Sequence, residues 1–327
     1  MNQKQLIKYI DQFQEQSILV IGDIMLDKYI NGSVSRVSEE APVPIVNLNE
    51  QIFRLGGAGN VACNLANLGV KTYLAGYTGY EIEAERIFSI CSDFKIDTSS
   101  IIKVPGRLTT IKTRVSSRGQ QMIRIDKEVV NQVSSEFEEQ LLDKINHIEK
   151  LDAIIISDYA KGVLTDKLSK KIQELTNDNI FTMLDPKPKN KSLYRNFSSM
   201  KPNKLEAEIL SGKKITDNES ALQVAKELQK EFNLDEVLLS LSSKGLLMLS
   251  KNHPEGYYYN TQATEVADVS GAGDTLVSVY TAAKSLGLGE ETSAILSSVA
   301  ASIVVSHIGT SPINKKEFIQ MIEAKVG

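Results

Sequence analysis

Asp268-Val269-Ser270-Gly271-Ala272-Gly273-Asp274-Thr275 runs straight into Leu276, Val279, Ala283 and Leu286, apolar residues on one face at helical spacing. A run of small residues that opens a helix lets the backbone come close to a ligand. The free N–H groups there, with the helix dipole behind them, favour an anion. Asp274 in the first turn would then stand beside the anion's pocket. From there a carboxylate can take a proton from an attacking hydroxyl while the N–H groups stabilise charge on a transferred phosphoryl group. Local physics equally allows Asp274 to be an N-terminal capping residue. No Gly-Lys-Ser/Thr follows, which disfavours a Walker-type nucleotide loop.

Upstream of this stretch, Ile18–Ile21, Ala153–Ile156, Phe181–Leu184 and Val237–Leu241 are short apolar runs of the kind that form strands buried on both faces. Helical patterns lie between them, near 134–150, 165–177, 218–232, 274–286 and 291–307. Val61, Leu65 and Leu68 add another, with Gly69 as its stop. Strands alternating with helices predict an α/β fold with a doubly wound, mainly parallel sheet and ligands at the carboxyl ends of its strands. Residues 29–52 and 107–127 break the rhythm with Pro-containing and alternating segments that read as exposed or edge strands. They are expected to form a small β-lid inserted into one domain spanning 1–327; an edge hairpin with no lid role is the alternative.

The 42% content of hydrophobic residues and 20 glycines in 327 positions allow a sizeable core. A net charge of -4 gives no reason to expect nucleic acid as a partner, so an anionic substrate has to be met by local Lys, Arg and backbone N–H groups. Cys63 and Cys91 are too few for a disulfide framework and fit free, buried thiols of a cytoplasmic protein. The polar N-terminus lacks the apolar core of a signal peptide, and no run approaches the roughly 20 apolar residues that span a bilayer, so no membrane partner is expected.

Four further segments have local readings of their own. In Lys201-Pro202-Asn203-Lys204-Leu205-Glu206, Asn203 caps a helix and Glu206 sits one turn on, the spacing of a capping box. Ser240 to Gly245 joins a buried strand to the apolar run Leu246–Leu249. Gly22-Asp23-Ile24-Met25-Leu26-Asp27 follows the first strand and is expected to put Asp27 just past its carboxyl end, where a carboxylate can accept from two sugar hydroxyls. Gly56-Gly57-Ala58-Gly59-Asn60 opens a helix, but Gly-x-Gly-x-x-Gly spacing is not met and no strand is expected directly before it, against a dinucleotide fingerprint.

The stretch at 268–275 resembles the C-terminal signature of the ribokinase-like (PfkB) carbohydrate kinases, and Gly56-Gly57-x-x-Asn60 resembles their N-terminal one. That resemblance implies an ATP- and Mg²⁺-dependent sugar kinase, with room for a monovalent cation. It makes Asp274 the base and Gly271, Ala272 and Gly273 the anion hole. Asn203, Lys204, Leu205 and Glu206 match the family's Asn-x-x-Glu motif, with Asn203 and Glu206 organising Mg²⁺ through water and the ATP phosphates. Ser240 and Gly245 fall along the nucleotide, although Leu241 stands where relatives often carry a basic or glycine residue. His307 falls beside the adenine, either as a nucleotide contact or as a solvated surface residue. Asp27, Gly56, Gly57 and Asn60 fall on the sugar.

Gly22–Tyr29, Ser35–Pro44, Thr109–Arg114 with Gln120-Gln121, Ser157–Gly162 and Leu184–Lys187 resemble one subgroup more closely, the heptose 7-phosphate kinases of lipopolysaccharide-core biosynthesis. The subgroup phosphorylates the anomeric hydroxyl of D-glycero-D-manno-heptose 7-phosphate. On this reading Arg36, Lys112, Arg114 and Lys161 are candidates to hold the distal phosphate, with Asp158 on the sugar, and each cation is otherwise a solvated surface charge. Glu40 replaces the subgroup's usual Pro, and the paired-His motif of its fused nucleotidyltransferase is absent, so a stand-alone kinase is expected. An exposed lid strand makes a homodimer through the lid plausible. The rivals are a kinase of ribose, fructose or a nucleoside, and a sugar-binding regulatory protein on the same fold.

Overall fold

Ile18 and Val20 of the first strand pack into one hydrophobic core, and Leu19 and Ile21 into a second on the other side. Such a strand is covered on both faces, which is why its sequence is continuously apolar. The structure is a computed structural model that describes residues 2–177, 180–260, 269–307 and 309–325. Asp268, which opens the decisive stretch, lies outside them, as does Ile308.

In chain order the strands are β1 (Ser17–Gly22), β2 (Ile24–Val37), β3 (Pro44–Gly57), β4 (Lys71–Thr78), β5 (Ile101–Lys103), β6 (Thr110–Ser117) and β7 (Gln120–Lys127). They continue with β8 (Ala153–Ser157), β9 (Phe181–Asp185), β10 (Ser199–Met200), β11 (Glu236–Ser240), β12 (Leu246–Ser250) and β13 (Tyr257–Tyr259). The helices are α1 (Gln3–Gln12), α2 (Ala58–Asn67), α3 (Ile82–Asp93), α4 (Ser135–Asn146) and α5 (Asp166–Asn177). After them come α6 (Lys204–Ser211), α7 (Asn218–Phe232), α8 (Ala272–Ser285), α9 (Glu290–Val304) and α10 (Lys315–Lys325).

Among the described residues, nine strands form one sheet in the order β13-β12-β11-β10-β9-β8-β1-β4-β5. It is parallel from β11 to β5, and β12 alone runs the other way, pairing antiparallel with β11 on one side and β13 on the other. Side chains from α1, α2, α3, α8, α9 and α10 fill one core, and those of α4, α5, α6 and α7 fill the other. The strand order reverses around β1, which lies between β8 and β4. In a doubly wound sheet that reversal opens a crevice at the strands' carboxyl ends.

The remaining strands form a separate sheet in the order β3-β2-β6-β7, in which β2 pairs parallel with β6 and antiparallel with β3. It draws on 24–57 and 110–127. Two sequence expectations are corrected here. Asp27 is not just past the end of β1; it is inside β2, and Asp23 holds the position after β1. A strand does precede Gly56-Gly57, because β3 ends at Gly57 and α2 begins at the next residue. β3 is a partly exposed, antiparallel strand rich in polar residues, so it carries no apolar run by which to recognise it. Gly57-x-Gly59-x-x-Ala62 meets only the looser Gly/Ala form of the fingerprint, and β3 is an antiparallel strand of the separate sheet where the fingerprint needs a parallel strand of a βαβ unit.

Candidate active site

Every strand from β1 to β11 that borders the crevice delivers a polar group at its carboxyl end: Asp23 after β1, Asp158 and Tyr159 after β8, Asp185 at the end of β9 and Lys201 after β10. The N-terminus of α8 completes the ring. A polar cleft of about 260 Å³ lies between Asp158, Tyr159, Asp185, Lys187, Lys201, Asn203, Glu206, Gly271, Gly273 and Asp274. A larger one of about 870 Å³ shares Lys201, Asn203 and Gly273 with it, then runs past Lys204, Leu205, Ser240, Gly245 and Ala272 to Ala301 and Val305.

Asp274 is buried, with only 6% of its surface exposed. Asn60 Nδ2 donates to its Oδ2 at 2.6 Å, and Tyr159 Oη donates to its Oδ1 at 3.4 Å. Burial first, and then the neighbouring Asp185 charge, push its carboxyl from 3.8 up to about 7, against the pull of Asn60, Lys201 and Tyr159. A carboxylate poised there can accept a proton near neutrality. Gly271 adopts φ +84°, and a Cβ on it would come within 3.1 Å of Asn60 Nδ2, so both backbone conformation and space favour glycine. Asn60 itself is held through Asn64, whose Nδ2 donates to the Asn60 carbonyl at 2.8 Å and whose Oδ1 accepts from Thr275 Oγ1 at 2.9 Å. In the first turn of α8 the Ala272 N–H donates to the Val269 carbonyl at 3.4 Å, while those of Gly273 and Asp274 have no intrahelical acceptor and remain available to an anion.

Lys201, which the sequence reading passed over as the lead-in to Asn203, is the buried cation of the site. Its Nζ lies 2.9 Å from Asp185 Oδ1. A Cβ built on Gly273 would sit 3.0 Å from the same ammonium. Burial would lower its pKa, but Asp185 and Glu206 outweigh this and raise it, so the ammonium stays charged where the two clefts meet. Asn203 and Glu206 form a complete capping box: Asn203 Oδ1 accepts the Glu206 N–H at 2.9 Å, and Glu206 Oε2 accepts the Asn203 N–H at 3.0 Å. The other Glu206 oxygen lies 3.4 Å from Lys187 Nζ and borders the polar cleft. No group of three or more potential metal-ligating side chains occurs among the described residues.

At the opposite side of the cleft, Asp27 is buried, and its Oδ1 lies 2.5 Å from Arg114 Nη1. Thr310 Oγ1 donates to its Oδ2 at 3.4 Å, and a Cβ on Gly56 would be 2.7 Å from that oxygen. Gly57 has φ +57° and leaves space beside the Asp23 carbonyl. Lys112 Nζ lies 5.2 Å from the centre of the Tyr159 ring, and burial lowers its pKa although Asp27 opposes the shift. Lys161 shares this electrostatic neighbourhood and pairs with Glu128 at 2.5 Å.

The structure therefore gathers Asp27, Gly56, Gly57, Asn60, Lys112, Arg114 and Lys161 on one side, and Asn203, Glu206 and residues 271–274 on the other. Arg36 does not join them. It is exposed, nine residues along β2 from Asp27, which is roughly 30 Å at ordinary strand rise. Asp158 borders the cleft, but its oxygens already accept from Tyr194 Oη, the Ala160 N–H and Asn190 Nδ2. His307 pairs with Glu317 at 3.1 Å and is not among the residues lining the larger cleft.

Comparison with known proteins places this geometry. The chain is 37% identical over 324 residues to a bifunctional protein HldE of Trichlorobacter lovleyi, covering 98% of this chain and 66% of that protein. It is 39% identical over 311 residues to that of Methylobacillus flagellatus, covering 94% and 63%. The chain thus spans just under two thirds of the length of these curated relatives. The fold is shared with a crystal structure of Escherichia coli phosphofructokinase-2 in complex with substrates and products, at a TM-score of 0.79 and 18% identity over 95% of this chain and 100% of that one. A family profile described as pfkB family carbohydrate kinase matches residues 15–317. The chain belongs to the pfkB family of carbohydrate kinases, phosphotransferases with an alcohol group as acceptor.

Proposed function

We propose that the chain transfers a phosphoryl group from ATP to the anomeric hydroxyl of D-glycero-D-manno-heptose 7-phosphate, giving the 1,7-bisphosphate, a step toward ADP-heptose and lipopolysaccharide. The observation that carries this reading is the cluster of Lys112, Arg114 and Lys161 beside Asp27, across the cleft from Asp274. Arg114 pairs with Asp27 and Lys161 with Glu128, whereas Lys112 makes no ion pair among the described residues; an ammonium held there beside an arginine is well matched by a distal phosphate. The subgroup resemblance in the strands that carry these residues supports the same substrate.

In this reading Asp274 takes the proton of the anomeric hydroxyl through Oδ1, the oxygen that Asn60 leaves open. The first-turn N–H groups of α8 and the Lys201 ammonium balance charge on the moving phosphoryl group. Asp27, Gly56, Gly57 and Asn60 hold the sugar. The base, phosphates and ribose of ATP occupy the larger cleft past Lys204, Leu205, Ser240 and Gly245. Glu206 and Asn203 suit a magnesium ion held through water, because a carboxylate oxygen on the polar cleft can reach the water shell of an ion that dehydrates reluctantly. When bound, that ion would neutralise the ATP phosphates. The four-stranded sheet acts as a lid that excludes water, and its exposed Val37, Leu48, Ile123 and Ile125 suit pairing with a second copy.

The test is ATP turnover against a panel of free and phosphorylated sugars. Heptose 7-phosphate is expected to be used at least about a hundredfold better by kcat/KM than ribose, fructose or unphosphorylated heptose, because remote binding energy orients the reacting hydroxyl. Equal kcat/KM for ribose or fructose would return the chain to a general sugar kinase.

A further inference from the structure

Tyr159 touches both ends of the site. Its hydroxyl meets Asp274 Oδ1 at 3.4 Å, and the Lys112 ammonium lies 5.2 Å from the centre of its ring. Among the described residues, no other side chain that hydrogen-bonds to Asp274 also has its ring against a cation of the four-stranded sheet.

The loop that carries Tyr159 is pinned with unusual completeness. Its backbone N–H donates to Asp23 Oδ2 at 2.8 Å, and the Lys161 N–H donates to the same oxygen at 3.0 Å. Asp158 Oδ1 takes the N–H of Ala160, which adopts φ +56°. The Lys161 carbonyl accepts from Arg107 Nη2 at 2.8 Å. A buried carboxylate at the end of β1 that accepts the loop N–H groups of Tyr159 and Lys161 is an expensive way to build a turn, since burying charge costs stability unless it is paired. That cost makes sense where the loop must hold one side chain to a fraction of an ångström.

We infer that Tyr159 is a positioning residue with two separable duties: its hydroxyl restrains the open oxygen of Asp274, and its ring seats the Lys112 ammonium. The inference rests on the proposed function, in which Asp274 is the base and Lys112 meets a substrate phosphate. One phenol then sets the distance between the reacting hydroxyl and the anionic end of the sugar. A monosaccharide phosphate of the right length satisfies both contacts; a shorter or uncharged one satisfies only the first.

Phe at 159 keeps the ring and removes the hydroxyl, whereas Leu removes both. At saturating ATP, Tyr159→Phe should lower kcat about tenfold, the reach of one lost hydrogen bond to a charged group, and leave KM for heptose 7-phosphate within about twofold. Tyr159→Leu should show the same kcat loss and a KM for the phosphorylated sugar about fivefold higher or more, as lost cation–π contact predicts, with KM for ATP unchanged. Adding Lys112→Met should erase the KM difference between the two variants. A merely structural tyrosine would lower thermal stability and move all parameters together. Phe indistinguishable from the wild type, or Leu no worse than Phe in KM, overturns the inference.

Asp274→Asn separates this from the parent reading. If it is inactive while Tyr159→Phe behaves as wild type, only the tyrosine's role is lost. If it is fully active, the assignment of the base is lost. Should the best substrate in the panel carry no phosphate, the ring's duty is overturned with the heptose reading, and kcat of the Phe variant alone decides the hydroxyl's duty.

Discussion

The two sides of the cleft hold their charges in opposite ways. At the α8 side, Asp274 and Lys201 are 6% and 4% exposed and stand on the rigid carboxyl end of the parallel sheet. At the other side, Lys112 and Arg114 are half-buried on a four-stranded sheet with many exposed apolar residues, and Arg36 is fully at its surface. Preorganised groups that keep their geometry cost nothing to reorganise during reaction, which suits chemistry. Partly solvated cations on a less buried sheet can be rearranged by evolution or by ligand, which suits substrate choice.

The sharpest way to break this comparison is at the rigid side. Asp274→Asn should lower kcat by about 10²–10⁴, the range of general-base effects, while binding of the sugar phosphate survives. Isothermal titration and single-turnover assays separate the two, and near-normal turnover in a folded Asn variant would remove the chemistry from this side. At the cationic side, Lys112→Gln should reduce the preference for phosphorylated over free heptose by about ten- to a hundredfold and leave KM for ATP nearly unchanged, as for loss of a charge-assisted contact. An equal loss for both sugars would mean that Lys112 serves the sheet and not the phosphate.

The buried carboxyls also predict opposed pH dependences. Asp274 titrates at about 7, so turnover should rise from pH 6 to pH 8 as the base ionises. Its folded value lies above the ordinary 3.8, so the folded chain binds that proton more tightly than the unfolded one. Its contribution to stability is therefore present at low pH and lost as pH rises through the window from 3.8 to about 7. Asp23, raised to about 6 chiefly by burial and then by Asp158, acts in the same direction. Urea midpoints of the ligand-free protein at several pH values should show this slope, and Asp274→Asn should flatten it and stabilise the fold at pH 8. Parallel slopes in wild type and variant would show that burial does not strain this carboxyl.

Glu206→Gln should have a smaller effect. It should weaken activity at limiting Mg²⁺ and be partly rescued by excess, while a modest loss of stability reports the broken capping box, about 1 kcal/mol. Unchanged Mg²⁺ dependence would leave Glu206 as a cap alone.

What the sequence made legible follows from how local each signal is. The 269–275 stretch announces its helix, its glycines and its carboxylate within one turn, and β1, β8 and β9 announce themselves by unbroken apolar runs. Asn60 and Asp274 are 214 positions apart, and nothing in either segment shows that one donates to the other. Lys201 and Tyr159 sit in quoted motifs, yet their roles depend on Asp185, Gly273 and Lys112, which other strands and α8 bring to them. α3 and β4 carried no expectation, and β3 is too polar to announce a strand. The parallel β2–β6 pairing, which assembles the cation cluster, joins Asp27 to Lys112 across 85 positions.

The smallest expected effect tests where the cationic side ends. Arg36 lies in a segment of the same resemblance as Lys112, Arg114 and Lys161, but within one chain it stands about 30 Å along β2 from Asp27. It makes no ion pair among the described residues. Arg36→Ala should therefore leave kcat/KM for heptose 7-phosphate within about twofold, the reach of an ordinary surface substitution. The measurement should be made at dilute and at high protein concentration, with sedimentation run alongside. Electrostatics alone cannot bridge such a distance through solvent, because charges separated by more than about 8–10 Å are largely screened at physiological salt. A tenfold loss that appears only at concentrations where the chain sediments as a dimer would mean that a second copy's β2 brings Arg36 to the cleft. The cationic side would then belong to the pair of chains, and the α8 side to each chain alone.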